Sequence, residues 1–91
     1  MANHKSALKR IRSNEKKRVR NRIVRSKART EIKKARALIQ EGDLDSARQA
    51  ALEAIRALDK AANKGILHPN NAARRKSRLM KQLALLEAQK E

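Results

Sequence analysis

Ninety-one residues suit one small domain, expected to span residues 1–91 as a single unit. The chain carries 25 Lys and Arg against 9 Asp and Glu, a formal net charge of +16, so a polyanion is the expected partner. It has no Cys, Phe, Trp or Tyr, which excludes disulfides, thiolate metal sites and aromatic platforms for stacking splayed bases. The core is thereby limited to Leu, Ile, Val, Met and Ala, and a core of that kind is small in a chain this short. Met1-Ala2-Asn3-His4 is polar and followed by basic residues, so neither a secretory signal nor a membrane span is expected, and the expected address is the cytoplasm.

The stretch from Lys5 to Arg36 holds fifteen of the 25 basic residues and two acids, Glu15 and Glu31. It has neither Pro nor Gly, so it reads as one helix, about 7–41, with Ser6 as its cap. Lys5, Lys9 and Arg10 near that start oppose the helix dipole, and a phosphate there would relieve the cost. Val24, Ala28, Ile32, Ala35 and Ile39, flanked by Leu38, recur at spacings of three and four and form one seam. Leu8, Ile11, Val19 and Ile23 do not continue it. Only the second half of this helix therefore has a stripe with which to dock, and the first half is expected to be an arm that orders on its ligand. Arg18, Arg22, Arg25, Arg29 and Arg36 make a basic ridge, expected opposite the seam, with few carboxylates to pair with it. The rigid guanidinium fork suits phosphate oxygens.

Gly42 closes the first helix, and Asp43 caps a second at about 44–63, with Asp45 in its first turn. Leu44, Ala47, Ala51, Ile55, Leu58 and Ala62 form one stripe of this helix, and Ala50, Ala54, Ala57 and Ala61 a second. Nearly neutral and apolar on two faces, it reads as a strut between two neighbours. A helix-turn-helix, whose second helix should carry the groove contacts, is disfavoured. Gly65 ends it, Ile66 and Leu67 plug the bundle end, and His68-Pro69 opens a third helix at about 69–88. Its expected stripe is Ala72, Ala73, Leu79, Met80, Leu83 and Leu86, and its basic cluster is Arg74, Arg75, Lys76, Arg78 and Lys81. Short connections make successive helices antiparallel. At 1.5 Å per residue the first helix spans ~50 Å and the others ~30 Å each, so its N-terminal half should project from an all-α three-helix bundle. The two basic clusters should then merge into one surface.

No catalytic constellation is present. His4 and His68 are far apart in sequence with no thiol near them, the serines lack a base and an acid arranged around them, and Gly42 and Gly65 punctuate helices. No enzyme, metal site or cofactor is expected. A membrane surface fits poorly, because interfacial helices usually insert aromatics or a full Leu face. A histone-like DNA compactor remains open on composition, although no zipper heptads follow the basic helix. Physical chemistry alone reaches a phosphate-binding helical bundle, since backbone contacts carry no direct sequence information.

Particular motifs go further. Asn3-His4-Lys5-Ser6-Ala7 with Lys9-Arg10-Ile11-Arg12, then Arg20-Asn21-Arg22 and the run from Ser26 to Lys34, resemble the bacterial small-subunit ribosomal protein S-twenty family. So do Leu58-Asp59-Lys60-Ala61-Ala62, Lys64-Gly65-Ile66-Leu67-His68, Asn70, and Ala72-Ala73-Arg74-Arg75-Lys76-Ser77-Arg78-Leu79. The resemblance covers essentially the whole chain, although Pro69 stands where many relatives carry a basic residue. It implies a three-helix bundle that binds small-subunit ribosomal RNA directly and early in assembly, in the cytoplasm, with no catalytic activity. Other small-subunit components are possible neighbours, and no membrane or small-molecule substrate is expected. The candidate RNA-binding residues on the first helix and its start are Lys5, Ser6, Lys9, Arg10, Arg12, Lys16, Lys17, Arg18, Arg22, Arg25, Arg29, Lys33 and Arg36. Those at the opening of the third are His68, Asn70, Arg74, Arg75, Lys76 and Arg78.

Overall fold

A computed structural model describes the backbone of residues 2–90 and the side chains of residues 6–90. Three helices account for nearly all of it: α1 (Ala2–Glu41), α2 (Leu44–Asn63) and α3 (Pro69–Lys90). α1 starts earlier than its expected boundary, so Ser6 lies inside the helix and not at its cap. Nothing between Ala2 and Ser6 interrupts a helix, and Ser6 lacks the Glu or Gln three residues on that would complete a capping box.

The turns follow from single residues. At the end of α1, Gly42 takes φ +80°. Its N–H donates to Ile39 O at 3.1 Å, and Asp43 N–H donates to Leu38 O at 3.3 Å. This pair of bonds closes a helix through a left-handed residue, which Gly adopts without a Cβ penalty. The end of α2 repeats the device: Gly65 has φ +74°, its N–H donates to Ala62 O at 3.0 Å, and Ile66 N–H donates to Ala61 O at 2.9 Å. The Asp43 carboxylate caps α2 by accepting from Ser46 N–H at 3.3 Å. Pro69 holds the first position of α3, and His68 Nδ1 accepts from Asn70 N–H at 3.2 Å.

The packing is antiparallel in sequence order. Lys34 and Leu38 face Asp45, Ser46 and Gln49, whereas Val24 and Lys27 face Arg56, Ala57 and Lys60, so α2 runs back along α1. Ion pairs between Arg48 and Glu87 and between Lys76 and Asp59 set α3 antiparallel to α2. α3 is therefore parallel to α1, with Arg75 beside Arg25 and Arg29, and Gln82 and Leu86 beside Arg36 and Ile39.

The core is built of Ala28, Ile32 and Ala35 from α1, Leu58 and five alanines from α2, and Ala72, Leu79, Leu83 and Leu86 from α3. Alanines on two sides of α2 let both neighbours approach closely, as expected of a strut. Among the described residues only Leu58 and Leu79 are large side chains with no exposure, so little bulky apolar volume holds the helices together. Ala73 and Met80, assigned to the α3 stripe from the sequence, are exposed. At about 100° per residue they sit roughly a quarter-turn away from the line through Ala72, Leu79, Leu83 and Leu86.

No residue of α1 between Ser6 and Lys27 is buried. Leu8, Ile11, Val19 and Ile23 are 44–63% exposed, and α1 acquires buried side chains only from Ala28 onward. The molecule measures 70 × 21 × 13 Å because the front half of α1 extends beyond the bundle.

Candidate nucleic-acid interface

The ridge on α1 is exposed along its whole length at Arg18, Arg22, Arg25, Arg29 and Arg36, and Lys33 joins it. It does not lie opposite the seam. At about 100° per residue the ridge sits roughly 90° from the Ala28–Ile32–Ala35 line, on the side where α3 docks. Arg25 and Arg29 therefore rim a crevice floored by Ala28, Leu58 and Leu67 and closed by Arg75 of α3. The reason is the narrowness of the seam. α1 presents a small-residue stripe to two helices at once, and the residues flanking that stripe become the lips of the inter-helix grooves. Long arginine stems can lie along apolar surface there while the guanidinium stays wet.

The α3 cluster divides. Arg74 and Arg78 are exposed. Arg75 is half-buried, and its Nε–H donates to Asn71 Oδ1 at 2.9 Å, one helical turn earlier. Lys76 turns the other way, with Nζ 3.3 and 3.4 Å from the two carboxylate oxygens of Asp59 on α2. Adjacent positions on a helix point about 100° apart, so a run of basic residues cannot serve a single surface. The expected merging of the two clusters is met at Arg25, Arg29 and Arg75, and Lys76 is separated from it.

Acids matter at one further point. Arg18 Nη2 lies 2.7 Å from Glu15 Oε1, so the first ridge arginine has a partner within its own helix. Both side chains are more than half exposed, and an exposed pair of this kind is worth only ~0.2–1 kcal/mol, so a phosphate can compete for the guanidinium. Arg22, Arg25, Arg29 and Arg36 have no ion pair among the described residues.

The remaining candidates lie mostly on the projecting half of α1. Ser6, Lys9, Arg10, Arg12, Lys16 and Lys17 are all exposed and distributed around the helix, not along one face. Arg12 and Lys16 share a shallow surface with Glu15, Val19, Arg20 and Ile23. Lys5 lies outside the residues whose side chains are described, as do Asn3 and His4. His68 and Asn70 are exposed at the start of α3, where the His68 ring is already engaged by the Asn70 amide.

A second basic flank was not anticipated from the sequence. Between α1 and α2, Lys27, Arg56 and Lys60 line a groove with Ile23, Val24, Ala57, Glu31 and Glu53. One oxygen of Glu31 is buried there without a hydrogen-bond partner among the described residues. The available signal was the spacing of four between Arg56 and Lys60, which puts both on one face of the otherwise neutral α2.

Among the described residues no three His, Asp or Glu converge as metal ligands, and no helix is long and apolar enough to cross a membrane.

The family model described as "Ribosomal protein S20" matches residues 2–84. The chain is 56% identical over 89 residues to a small ribosomal subunit protein bS20 from Thermomicrobium roseum, covering 97% of this chain and 90% of that one. It is 54% identical over 81 residues to the protein of that name from Geobacter sulfurreducens, covering 89% and 93%. With its counterpart from Halalkalibacterium halodurans it shares 51% over 87 residues, covering 96% of each. A match this long runs through the projecting half of α1, both glycine turns and the arginines opening α3. The chain belongs to the ribosomal protein S20 family.

Proposed function

We propose that this protein is a structural constituent of the small ribosomal subunit in the cytoplasm, and that it binds small-subunit ribosomal RNA directly. The family is one of ribosomal proteins and not of enzymes. The observation that carries the RNA reading is the row of exposed arginines on α1 that meets Arg75 of α3 at a crevice with no acid among its lining residues.

The mechanism is electrostatic and geometric. Each Lys or Arg that neutralises a phosphate releases condensed counterions, which supplies affinity without reading sequence. Guanidinium forks on a rigid helix fix the spacing of those contacts. A-form RNA hides its base edges in a deep, narrow major groove, so backbone shape governs the fit. α1 is long enough to touch RNA segments that the compact bundle could not reach together. Cations between two RNA helices offset the repulsion of their phosphates, so the protein acts as a clamp during assembly. The small aliphatic core holds α3 in register with α1, which keeps the two sets of arginines on one side.

A competition experiment tests this reading. At near-physiological salt the protein is offered labelled small-subunit ribosomal RNA against duplex DNA and against anionic vesicles. The expected result is retention on the ribosomal RNA with both competitors in excess. Displacement by duplex DNA would favour a DNA compactor, and displacement by vesicles a membrane-surface protein.

A further inference from the structure

The crevice between α1 and α3 differs from the rest of the basic surface. The groove between α1 and α2 also gathers cations from two helices, Lys27, Arg56 and Lys60, but Glu31 and Glu53 share it; here three arginines from two helices line one depression with no acid among the lining residues. Its floor is apolar, made of Ala28, Leu58 and Leu67, with Ala28 2% and Leu58 0% exposed. No acid lines it. Arg75 is also oriented: its Nε–H is taken by Asn71 Oδ1 at 2.9 Å. That bond uses the one donor on the inner edge of the guanidinium and leaves the terminal amino groups for a ligand.

We infer that this crevice is a discrete phosphate-binding subsite, formed by Arg25, Arg29 and Arg75, with Asn71 as the residue that positions Arg75. The inference rests on the RNA-binding reading for its natural ligand, a backbone phosphodiester, but the site itself is defined by charge and shape. Three like charges above a low-dielectric floor repel one another in the free protein. The depression, about 20 Å³, is too small to enclose a phosphate, so an oxyanion rests across its rim, where it removes that repulsion and accepts charge-assisted hydrogen bonds from more than one fork. Because the arginines come from two helices, the bound phosphate also ties α3 to α1. Binding at this point should therefore stabilise the bundle itself, which phosphates along the projecting half of α1 cannot do.

The test uses the full chain and two readouts. In the first, thermal midpoints are measured in rising inorganic phosphate against chloride at matched ionic strength and pH. The wild type should gain stability with phosphate beyond the chloride control, and the gain should vanish in Arg75→Ala and shrink in Asn71→Ala. Arg75→Lys keeps the charge and loses the Nε–H, so it should recover only part of the gain. The readout is the phosphate dependence, which a general loss of stability does not imitate. In the second, RNA affinity is measured for Asn71→Ala, which changes no charge. A loss of about fivefold is expected from a mispositioned Arg75. Equal phosphate and chloride responses in the wild type would overturn the subsite, and so would an Asn71→Ala protein matching the wild type in both readouts. If the wild type gains stability from phosphate yet ignores ribosomal RNA, the subsite stands and the RNA reading falls.

Discussion

Amides in the front half of α1 are expected to exchange rapidly in the free protein and to slow on RNA. The perturbation is the addition of RNA, and the expected size follows from what this segment lacks. Residues 6–20 contain no buried side chain, so tertiary packing does not hold them helical. Arg12–Lys16, Lys16–Arg20 and Arg18–Arg22 are like-charge pairs four residues apart, and three such pairs cost ~0.6–1.5 kcal/mol. The Glu15–Arg18 pair at 2.7 Å is the one contact of opposite sign in the segment, and it returns ~0.2–0.5 kcal/mol. No acid occupies the first turn of α1 to offset the dipole. The opening free energy is then within about 1 kcal/mol of zero, which corresponds to protection of about tenfold or less. Residues 28–39 open only with the bundle. At ~0.05 kcal/mol per residue that stability is a few kcal/mol, or about a thousandfold protection. Hydrogen–deuterium exchange followed by mass spectrometry of short peptides resolves the two segments. Bound to RNA, residues 6–20 should gain at least about tenfold protection. Rising salt in the free protein should give a smaller gain by screening the repulsion. If residues 6–20 of the free protein are as protected as residues 28–39, the arm is preorganised and this reasoning is wrong.

Other consequences can be checked alongside. Replacing Arg25 or Arg29 with Ala should weaken RNA binding and lower the slope of log affinity against log salt by roughly one unit each; an unchanged slope would remove that residue from the phosphate contacts. Leu58→Ala should cost about 2–5 kcal/mol and lower the thermal midpoint by on the order of 10 °C or more, because Leu58 has no exposure and few large neighbours can refill its volume. Gly42→Ala meets no obstacle, since an added Cβ would lie 3.8 Å from Lys90 Nζ, so its cost of ~1–2 kcal/mol in urea denaturation should come from φ +80° alone. Asp43→Ala should remove ~0.5–2 kcal/mol through loss of the cap on Ser46 N–H, with RNA affinity unaffected at high protein stability.

The sequence by itself determined most of the architecture. Gly42 and Gly65 stop helices because a left-handed residue ends the ladder at little cost, and Asp43 and Pro69 start the next ones for equally local reasons. The spacing of Val24, Ala28, Ile32, Ala35 and Ile39 already contained the fact that only the second half of α1 could dock. Local rules were weaker at the start of α1, where Ser6 competes with an uninterrupted helix and loses.

Tertiary structure decided what each charge faces. Ridge and seam are both legible as periodicities, but which flank α3 occupies depends on how three helices share a narrow alanine-rich seam. That choice puts Arg25 and Arg29 beside Arg75 across the crevice. It also sends Lys76, one residue further on, to Asp59 of α2. Helical spacing fixes a side chain's angle about its own axis, and only packing fixes what stands at that angle.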